Sequence, residues 1–279
     1  MKISVITINY NNRIGLEKTI RSVLCQTIKD FEFIVIDGGS TDGSVDILKQ
    51  NDENITYWVS EPDKGIYNAM NKGIQKAEGE YCIFMNSGDA FYDKDVLGRV
   101  LLSLDGTDVI YGNTEYTTGK IRKSKNEPPY FSFFFVSSFS HQSTFIRTEL
   151  LKKYLYDESL KIVADWKFFL QTLILNNGSF KAVDLKISLY DATGISSTNK
   201  ILYEKEREQV LNSLFPQWML TDYNNLVYGR TSDEKLYVEM KQSQFAAIFY
   251  TLNVCLIKFL SFFRKGPAWI NKYPIKLIK

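Results

Sequence analysis

Over the first 112 residues, short apolar runs alternate with stretches in which apolar residues recur at helical spacing. The runs are rich in β-branched residues, which is typical of parallel strands buried on both faces. They cover residues 3–8, 31–36, 55–59, 81–85 and 108–111. The stretches between them predict helices over residues 16–27, 44–50, 66–77 and 96–104. This alternation predicts an α/β fold with a Rossmann-like, doubly wound and mostly parallel sheet.

The pattern becomes less regular after Tyr116. Further strands are predicted over residues 141–146 and 179–190, and further helices over residues 150–154 and 165–175. From residue 199 the chain is mostly helical, with a break near residue 215. We therefore expect a first domain over residues 1–198, with halves at 1–112 and 113–198, and a helical C-terminal extension over residues 199–279.

Charge and cysteine usage narrow the class of protein. The 279 residues carry 34 Lys and Arg against 32 Asp and Glu, and a net charge of +2 argues against a general nucleic-acid binder. The charge is uneven, because residues 240–279 contain seven Lys and Arg and no acid. Three widely spaced cysteines without a C-x-x-C pair favour a reducing compartment. The apolar run at residues 1–6 is too short for a signal peptide, so we expect a cytoplasmic protein.

Several common nucleotide-binding and hydrolase motifs are missing from the sequence. The turn after the first apolar run contains the single glycine Gly15 instead of G-x-G-x-x-G. Neither G-x-x-x-x-G-K-[ST] nor G-x-S-x-G occurs. The sequence therefore disfavours a dinucleotide-dependent dehydrogenase, a P-loop enzyme and a hydrolase with a nucleophile elbow.

Polar residues follow the predicted strands, at the edge where ligands bind in such sheets. Asp37 ends the second run, and the glycines after it would let a flat ligand approach the main chain. In the same loop, Asp42 and Ser44 are also typical of a helix N-cap. Residues 86–89, Asn-Ser-Gly-Asp, follow the fourth run. A carboxylate there could hold a hard cation that bridges a diphosphate, or the segment could be a plain turn.

Seven segments, in order, resemble those of the family 2 glycosyltransferases of the GT-A fold, most closely the bacterial polysaccharide-biosynthesis branch. They cover residues 5–11, 22–27, 37–43, 61–67, 70–74, 78–81 and 86–89. The resemblance is strong to about residue 112, weaker to about residue 196 and absent beyond. It implies an inverting transfer of a sugar from a nucleotide-diphosphate sugar to a glycan or lipid-linked acceptor in cell-surface polysaccharide synthesis.

The resemblance also implies roles for individual residues. Asp37 would hold the nucleobase or ribose, and Asp89 would bind the divalent cation, Mg²⁺ or Mn²⁺. The residues implied to bind the donor are Thr7, Asn9, Tyr10, Asp37, Lys64, Asn71, Asn86 and Ser87. The chain departs from the family at Asn86 and Gly88, where the metal motif has Asp, so the cation would be held mainly through the substrate diphosphate. Asn68 stands where many relatives have Asp, and we assign it no role.

An inverting transfer needs a general base that takes the proton of the acceptor hydroxyl. Residues 164–170 resemble the family segment that supplies it, which puts Asp165 in that role; helix capping or a favourable dipole position is the alternative. His141, the only histidine, could contact the diphosphate, the metal or the acceptor, or could be a structural hydrogen-bonding residue. Lys64 could meet phosphate or be a solvated loop lysine.

Residues 245–263 form a mainly apolar stretch with one polar stripe at helical spacing and a basic flank. For residues 245–279 we expect peripheral contact with the inner face of the cell membrane, with packing on the protein or a dimer interface as alternatives.

Two other functions stay open from the sequence. A nucleotidyltransferase would also use acids at strand ends, although such enzymes usually have a glycine-rich phosphate loop after the first strand. A non-catalytic nucleotide-sugar-binding subunit would fit the reduced metal motif at residues 86–89.

Overall fold

The computed structural model describes residues 2–124, 130–190 and 199–228. The chain divides into two compact units, Met1–Val210 and Leu211–Lys279. The stretch at residues 245–279, which we expect at a membrane, lies outside the described residues. Within the described ranges, no helix is both long enough and apolar enough to span a bilayer.

One mixed sheet forms the centre of the first unit. Its nine strands in the described ranges are β1 (Ile3–Asn9), β2 (Glu32–Asp37), β3 (Tyr57–Ser60), β4 (Tyr81–Phe84), β5 (Ala90–Phe91), β6 (Val109–Tyr116), β7 (Ile121–Arg122), β8 (Thr144–Arg147) and β9 (Phe180–Tyr190). The order is β3-β2-β1-β4-β8-β6-β9-β5, with β7 paired on β6. Strands β1 to β4, β6 and β9 run in one direction, and β5, β7 and β8 run against them. The predicted α/β fold with a mostly parallel sheet is confirmed.

Helices connect the strands and continue beyond the sheet. They are α1 (Arg13–Leu24), α2 (Ser44–Gln50), α3 (Ile66–Lys76), α4 (Val96–Leu101), α5 (Phe131–Val136), α6 (Thr148–Tyr154), α7 (Ala164–Phe169), α8 (Lys200–Leu214) and α9 (Gln217–Tyr228). Helix α7 continues as a π-helix over Leu170–Leu175. The first compact unit extends into α8, and the domain boundary expected after residue 198 stays a prediction.

The central strands are apolar because both of their faces are covered. Phe33 of β2 belongs to a buried cluster that includes Leu16 and Ile20 of α1. On the other face, α3 lies against β1: a Cβ atom at Gly73 would be 2.5 Å from Ile6 Cγ2. Only glycine allows the helix to approach the strand this closely.

The bounds of two predicted strands differ from those in the structure by about three residues or more at one end. The strand expected over residues 141–146 begins only at Thr144, because residues 141–143 form a 3₁₀ turn in which Ser143 N donates to Ser140 O at 2.9 Å. The strand expected over residues 108–111 extends to Tyr116 as β6, since its second half pairs with β7 and β9. Of these two partners, β9 is about 70 residues away along the chain, so the local pattern carries no sign of that pairing.

Candidate active site

The carboxyl ends of β1, β2, β3 and β4 lie at one edge of the sheet, because these strands are parallel. Asn9 and Asp37 are register partners at the ends of β1 and β2, and Asp37 is the register partner of Ser60 at the end of β3. The turn that ends at Asp89 follows β4 at the same edge. The two acidic segments predicted to share a ligand are therefore on the same rim.

Asp37 is fully buried and saturated with hydrogen bonds. Its Oδ1 accepts from Asn9 Nδ2 at 2.7 Å and from Ser40 Oγ at 2.6 Å, and its Oδ2 accepts from Ser40 N at 2.9 Å and Ser60 Oγ at 2.6 Å. Burial alone would raise the pKa of this carboxyl, but the four donors outweigh it and lower the pKa. A carboxylate has about four acceptor sites. In this structure Asp37 therefore shapes the loop through Ser40 and Asn9, and its contact with a nucleobase stays a prediction.

The loop after Asp37 joins the starts of two helices. Asp42 Oδ2 accepts from Arg13 N, the first residue of α1, at 2.8 Å. Asp42 Oδ1 accepts from Ser44 N at 3.1 Å and Ser44 Oγ at 2.6 Å at the start of α2. These contacts favour the capping interpretation of Asp42, because the amides at a helix start lack partners within the helix.

Three further side chains lie near the surface at the same rim, those of Tyr10, Asp63 and Lys64. Tyr10 is 66% exposed, and Lys64 is exposed in the loop that precedes α3. A Cβ atom at Gly38 would lie 2.4 Å from Asp63 Oδ2 and 3.1 Å from Tyr10 Cδ2. The glycine thus lets an aromatic ring and a carboxylate come together beside the loop. Both groups can interact with a flat polar ligand.

Like Asn9 and Asp37, two further residues predicted to bind the donor are buried and hydrogen-bonded within the protein. Thr7 Oγ1 donates to the main-chain carbonyl of Met85 at 2.7 Å. Asn71 Nδ2 donates to Tyr156 O at 2.8 Å and to Glu158 Oε1 at 2.9 Å, and Asn71 Oδ1 accepts from Tyr156 N at 2.9 Å. In this structure Asn71 holds the segment at residues 156–158, and its contact with a donor stays a prediction.

The turn after β4 is anchored by α1. Thr19 Oγ1 donates to Asp89 O at 2.7 Å and lies 3.1 Å from Asn86 O. Ser87 Oγ donates to Asn12 O, and Asn12 Nδ2 donates to Ser87 O, both at 3.2 Å. Apart from the Ser87 hydroxyl, these bonds use main-chain atoms of the turn. The turn is thus fixed in place against α1.

His141 joins this turn to the start of α7. Its Nδ1 is 3.4 Å from Asp165 Oδ2, and its Nε2 is 3.2 Å from Asn86 Nδ2. Because an amide Nδ2 only donates, Nε2 accepts, and neutral His141 carries its proton on Nδ1, directed at Asp165. Asp165 Oδ1 accepts from Trp166 N at 2.8 Å and from Tyr67 OH at 3.2 Å. The arrangement brings together three predicted site residues from distant parts of the chain.

Opposing effects set the protonation of this cluster. Burial lowers the pKa of His141, but the hydrogen bond and charge of Asp165 and the charge of Asp89 raise it, and the net pKa is raised. Burial and the charge of Asp165 also raise the pKa of Tyr67 well above its ordinary range, so Tyr67 stays a donor. The side chains of His141 and Asp165 are 26% and 17% exposed, so a ligand at the rim can reach them.

The turn after β4 also meets the requirements of a hard cation, although with few protein ligands. In the described part of the chain, no three His, Cys, Asp or Glu side chains are grouped to hold a metal ion. Asn86 Oδ1, however, is buried without a hydrogen-bond partner, in the same turn as the Asp89 carboxylate. Amide and carboxylate oxygens suit Mg²⁺ and Mn²⁺. These two residues therefore fit a cation that takes its other ligands from substrate and water.

The sequence analysis missed several residues that build the site. Tyr67 lies in the helix predicted over residues 66–77 and Glu158 lies between two predicted helices. Neither residue gave a sign of its partner, which is about 90 residues away along the chain. Glu206 of α8 is buried and accepts from the amides of residues 161–163. It lies in the charged run Glu-Lys-Glu-Arg-Glu, which in a sequence is typical of a solvated helix face.

Comparison with known proteins gives consistent matches. The sequence profile of glycosyl transferase family 2 matches residues 4–163. An uncharacterised glycosyltransferase of Mycobacterium tuberculosis is 33% identical over 216 residues, which cover 70% of this chain and 77% of that protein. The putative teichuronic acid biosynthesis glycosyltransferase TuaG of Bacillus subtilis is 41% identical over 102 residues, 36% of this chain and 40% of TuaG.

Two solved structures share the fold. Residues 1–349 of Staphylococcus aureus TarS, in complex with UDP-GlcNAc, superpose with a TM-score of 0.63 at 20% identity, covering 87% of this chain and 77% of that one. Against the longer TarS structure, the match spans 46% of the TarS chain. The mannosyltransferase PcManGT of Pyrobaculum calidifontis, in complex with GDP-Man and Mn²⁺, gives 0.60 at 14% identity, covering 91% of this chain and 80% of PcManGT. These likenesses identify the sheet and its helices as a GT-A fold.

Proposed function

Since the chain belongs to glycosyl transferase family 2 and has the GT-A fold, we propose that it transfers a sugar, with inversion, from a nucleotide-diphosphate sugar to an acceptor in the synthesis of a cell-surface polysaccharide. One observation carries the proposal: Asp165, His141 and Asn86 are in contact at the carboxyl edge of the parallel sheet. This contact connects the turn after β4 with the helix that bears the expected base.

The donor would bind over the ends of β1 and β2. Tyr10 is exposed there for stacking on a flat base, and Gly39 and Thr41 of the loop after β2 keep part of their surface accessible. Lys64, which is exposed in the loop before α3, would meet the phosphates. The neighbours TarS and PcManGT were solved with UDP-GlcNAc and GDP-Man, which supports a nucleotide sugar as the class of donor.

Asn86 Oδ1 and the Asp89 carboxylate would hold a divalent cation, Mg²⁺ or Mn²⁺. When bound, such a cation supplies positive charge that stabilises a departing nucleoside diphosphate. The presence of Mn²⁺ in the PcManGT structure supports this choice of group.

Asp165 would accept the proton of the attacking acceptor hydroxyl. Its Oδ1 is held by Tyr67 OH and Trp166 N, so the carboxylate cannot rotate freely. Its Oδ2 faces His141 Nδ1 at 3.4 Å, which leaves the second lone pair of that oxygen for a proton. His141 would orient Asp165 through the contact of its Nδ1 with Asp165 Oδ2.

The experiment measures nucleoside diphosphate released from UDP-, GDP- and dTDP-sugars in the presence of lipid-linked glycans extracted from cells. Asp165→Asn should bind donor as the unaltered protein does and lose transfer by about 10²- to 10⁴-fold, the usual contribution of a general base. Asp46→Asn, an exposed change on α2, is the matched control. Transfer by Asp165→Asn at the rate of that control would rule out the base. Turnover of nucleoside triphosphates in place of sugars would instead indicate a nucleotidyltransferase.

The acceptor would be a glycan or a lipid-linked glycan, met by a cytoplasmic protein at the inner face of the membrane. The support is the composition of residues 245–279, which combine apolar residues with Lys and Arg and contain no acid. Flotation with vesicles that contain anionic lipid tests this contact. Replacing Arg264 and Lys265 by Ser should weaken flotation, and equal flotation of both proteins would reject the membrane proposal.

A further inference from the structure

The main chain just before α7 depends on side chains for its hydrogen bonds. Helix α7 begins at Ala164, and its N-cap residue, Val163, contributes no side-chain cap. The three preceding amides, at residues 161–163, all donate to one carboxylate, that of Glu206 in α8. The N···O distances to the Glu206 carboxylate are 2.8 Å from Lys161, 2.9 Å from Ile162 and 3.3 Å from Val163. A single side chain from α8 therefore fixes the segment that leads into Asp165.

The opposite side of this segment is held by the donor half of the domain. Tyr67 OH lies 2.6 Å from Ile162 O and 3.2 Å from Asp165 Oδ1. The segment at residues 161–163 is thus hydrogen-bonded both to the Tyr67 hydroxyl of α3 and to the Glu206 carboxylate of α8. A shift of Ile162 would change the distance from Tyr67 to Asp165, since one hydroxyl contacts both.

The next residue of α8, Arg207, contacts both α7 and α5. Its guanidinium lies 4.0 Å from the ring centroid of Trp166, the residue after Asp165. It donates to Phe134 O at 2.7 Å and Phe135 O at 2.9 Å. Glu206 and Arg207 are only 6% and 8% exposed. Charged side chains are rarely buried to this extent unless they are paired or hydrogen-bonded. The hydrogen bonds of Glu206 and Arg207 are therefore what allows both side chains to be buried.

We propose that Glu206 is a positioning residue for the sugar transfer: by binding the amides of residues 161–163 it sets the position of Asp165 at the rim. This inference rests on the proposed function, because it assigns Glu206 an effect through the proposed base. It also gives the first turns of α8 a part in the reaction, although they lie beyond residues 4–163, where the family profile ends.

The substitution Glu206→Gln preserves the shape of the side chain and removes one of its two acceptor oxygens. The carbonyl oxygen can keep one or two of the amides, while the new NH₂ group faces a donor. We expect kcat for transfer to fall about 10- to 100-fold, the range that small misplacements of reacting groups produce, with the donor KM within about twofold. Glu208→Gln, exposed on the same helix, is the matched control.

A double-substitution cycle separates positioning from general loss of structure. If Glu206 acts through Asp165, adding Glu206→Gln to Asp165→Asn should cost no further activity, because the base is already absent. Losses that multiply in the double variant, or a Glu206→Gln enzyme with the kcat of the control, would overturn the inference.

Hydrogen exchange gives a readout that does not need activity. In Glu206→Gln, the amides of residues 161–163 should exchange faster, while those of β1 keep their protection. Unchanged protection at residues 161–163 overturns the inference whatever the kinetics. If the unaltered enzyme releases no nucleoside diphosphate from any sugar donor, the proposed function fails, and the exchange result still decides whether Glu206 holds this segment.

Discussion

Replacing Asp37 by Asn tests whether the rim of the sheet depends on a buried carboxylate. The side chain is 0% exposed and accepts four hydrogen bonds, two on each oxygen. An Asn in the same place keeps one acceptor oxygen, which can serve Asn9 Nδ2 and Ser40 Oγ. Its NH₂ group then faces Ser40 N and Ser60 Oγ, both of which donate to Asp37 at present. The hydroxyl of Ser60 can turn and accept, but the amide of Ser40 cannot.

The expected loss of stability follows from these contacts. One buried N–H without a partner costs about 1–3 kcal/mol, and hydrogen bonds to a charged group are stronger than neutral ones by roughly 1 kcal/mol each. Burying a neutral amide instead of a charge offsets part of this cost. We therefore expect Asp37→Asn to lower the free energy of unfolding by about 2–4 kcal/mol at pH 7. With a urea m-value of about 2–3 kcal/mol/M, the midpoint should fall by about 1 M.

The effect should also depend on pH. The folded-state pKa of Asp37 is lowered by its hydrogen-bond donors despite burial. Its contribution is therefore fully present above the unfolded value of about 3.9 and is lost as the pH falls through the lower folded value. The difference between the unaltered protein and Asp37→Asn should shrink as urea unfolding is repeated from pH 5 downwards.

Asp46→Asn, on the exposed face of α2, is the control for losing one carboxylate. It should change the urea midpoint very little, since surface substitutions are usually within about 0.5 kcal/mol. The reasoning from the four hydrogen bonds is wrong if Asp37→Asn has the same urea midpoint as this control. It is also wrong if the loss in free energy of unfolding caused by Asp37→Asn increases towards low pH.

Three further outcomes are expected. Asp89→Ala, or a chelator, should slow the release of nucleoside diphosphate, and unchanged turnover with either would contradict a cation at this turn. Gly79→Ala should lower the free energy of unfolding by about 1–3 kcal/mol in urea, because a Cβ atom would lie 2.7 Å from the main-chain carbon of Ile3; an unchanged midpoint would refute the clash. Burial raises the pKa of Cys82 to about 12, so peptide mass spectrometry should find exposed Cys25 modified by a thiol reagent at pH 8 and Cys82 untouched. Labelling of Cys82 in the folded protein would contradict its burial.

The local pattern was sufficient for the parallel half of the fold. Strands such as β1, buried on both faces, leave continuous apolar runs, and the predicted helix over residues 44–50 is α2 with the same bounds. Since parallel strands share one carboxyl edge, the common rim of Asp37 and Asp89 also followed from the sequence. The bounds of the strands in the other half of the sheet, which contains antiparallel pairs, were harder to predict. The extent of β6 and β8 depends on pairing with strands far along the chain.

The candidate site, like the fold, was only partly predictable from the sequence. Before any coordinates, Asp37 was a candidate because it ends a predicted strand, and His141 because it is the only histidine. Asp165 was a candidate through the resemblance of residues 164–170 to the family. Which groups their side chains contact was decided only by packing. Asp37 is saturated by Asn9, Ser40 and Ser60, and Asp165 is held through Tyr67 and, across residues 161–163, through Glu206. A hydrogen bond between residues 40 or 100 positions apart leaves no periodicity in the sequence. The burial that makes such a bond strong exists only once the sheet and its helices have assembled.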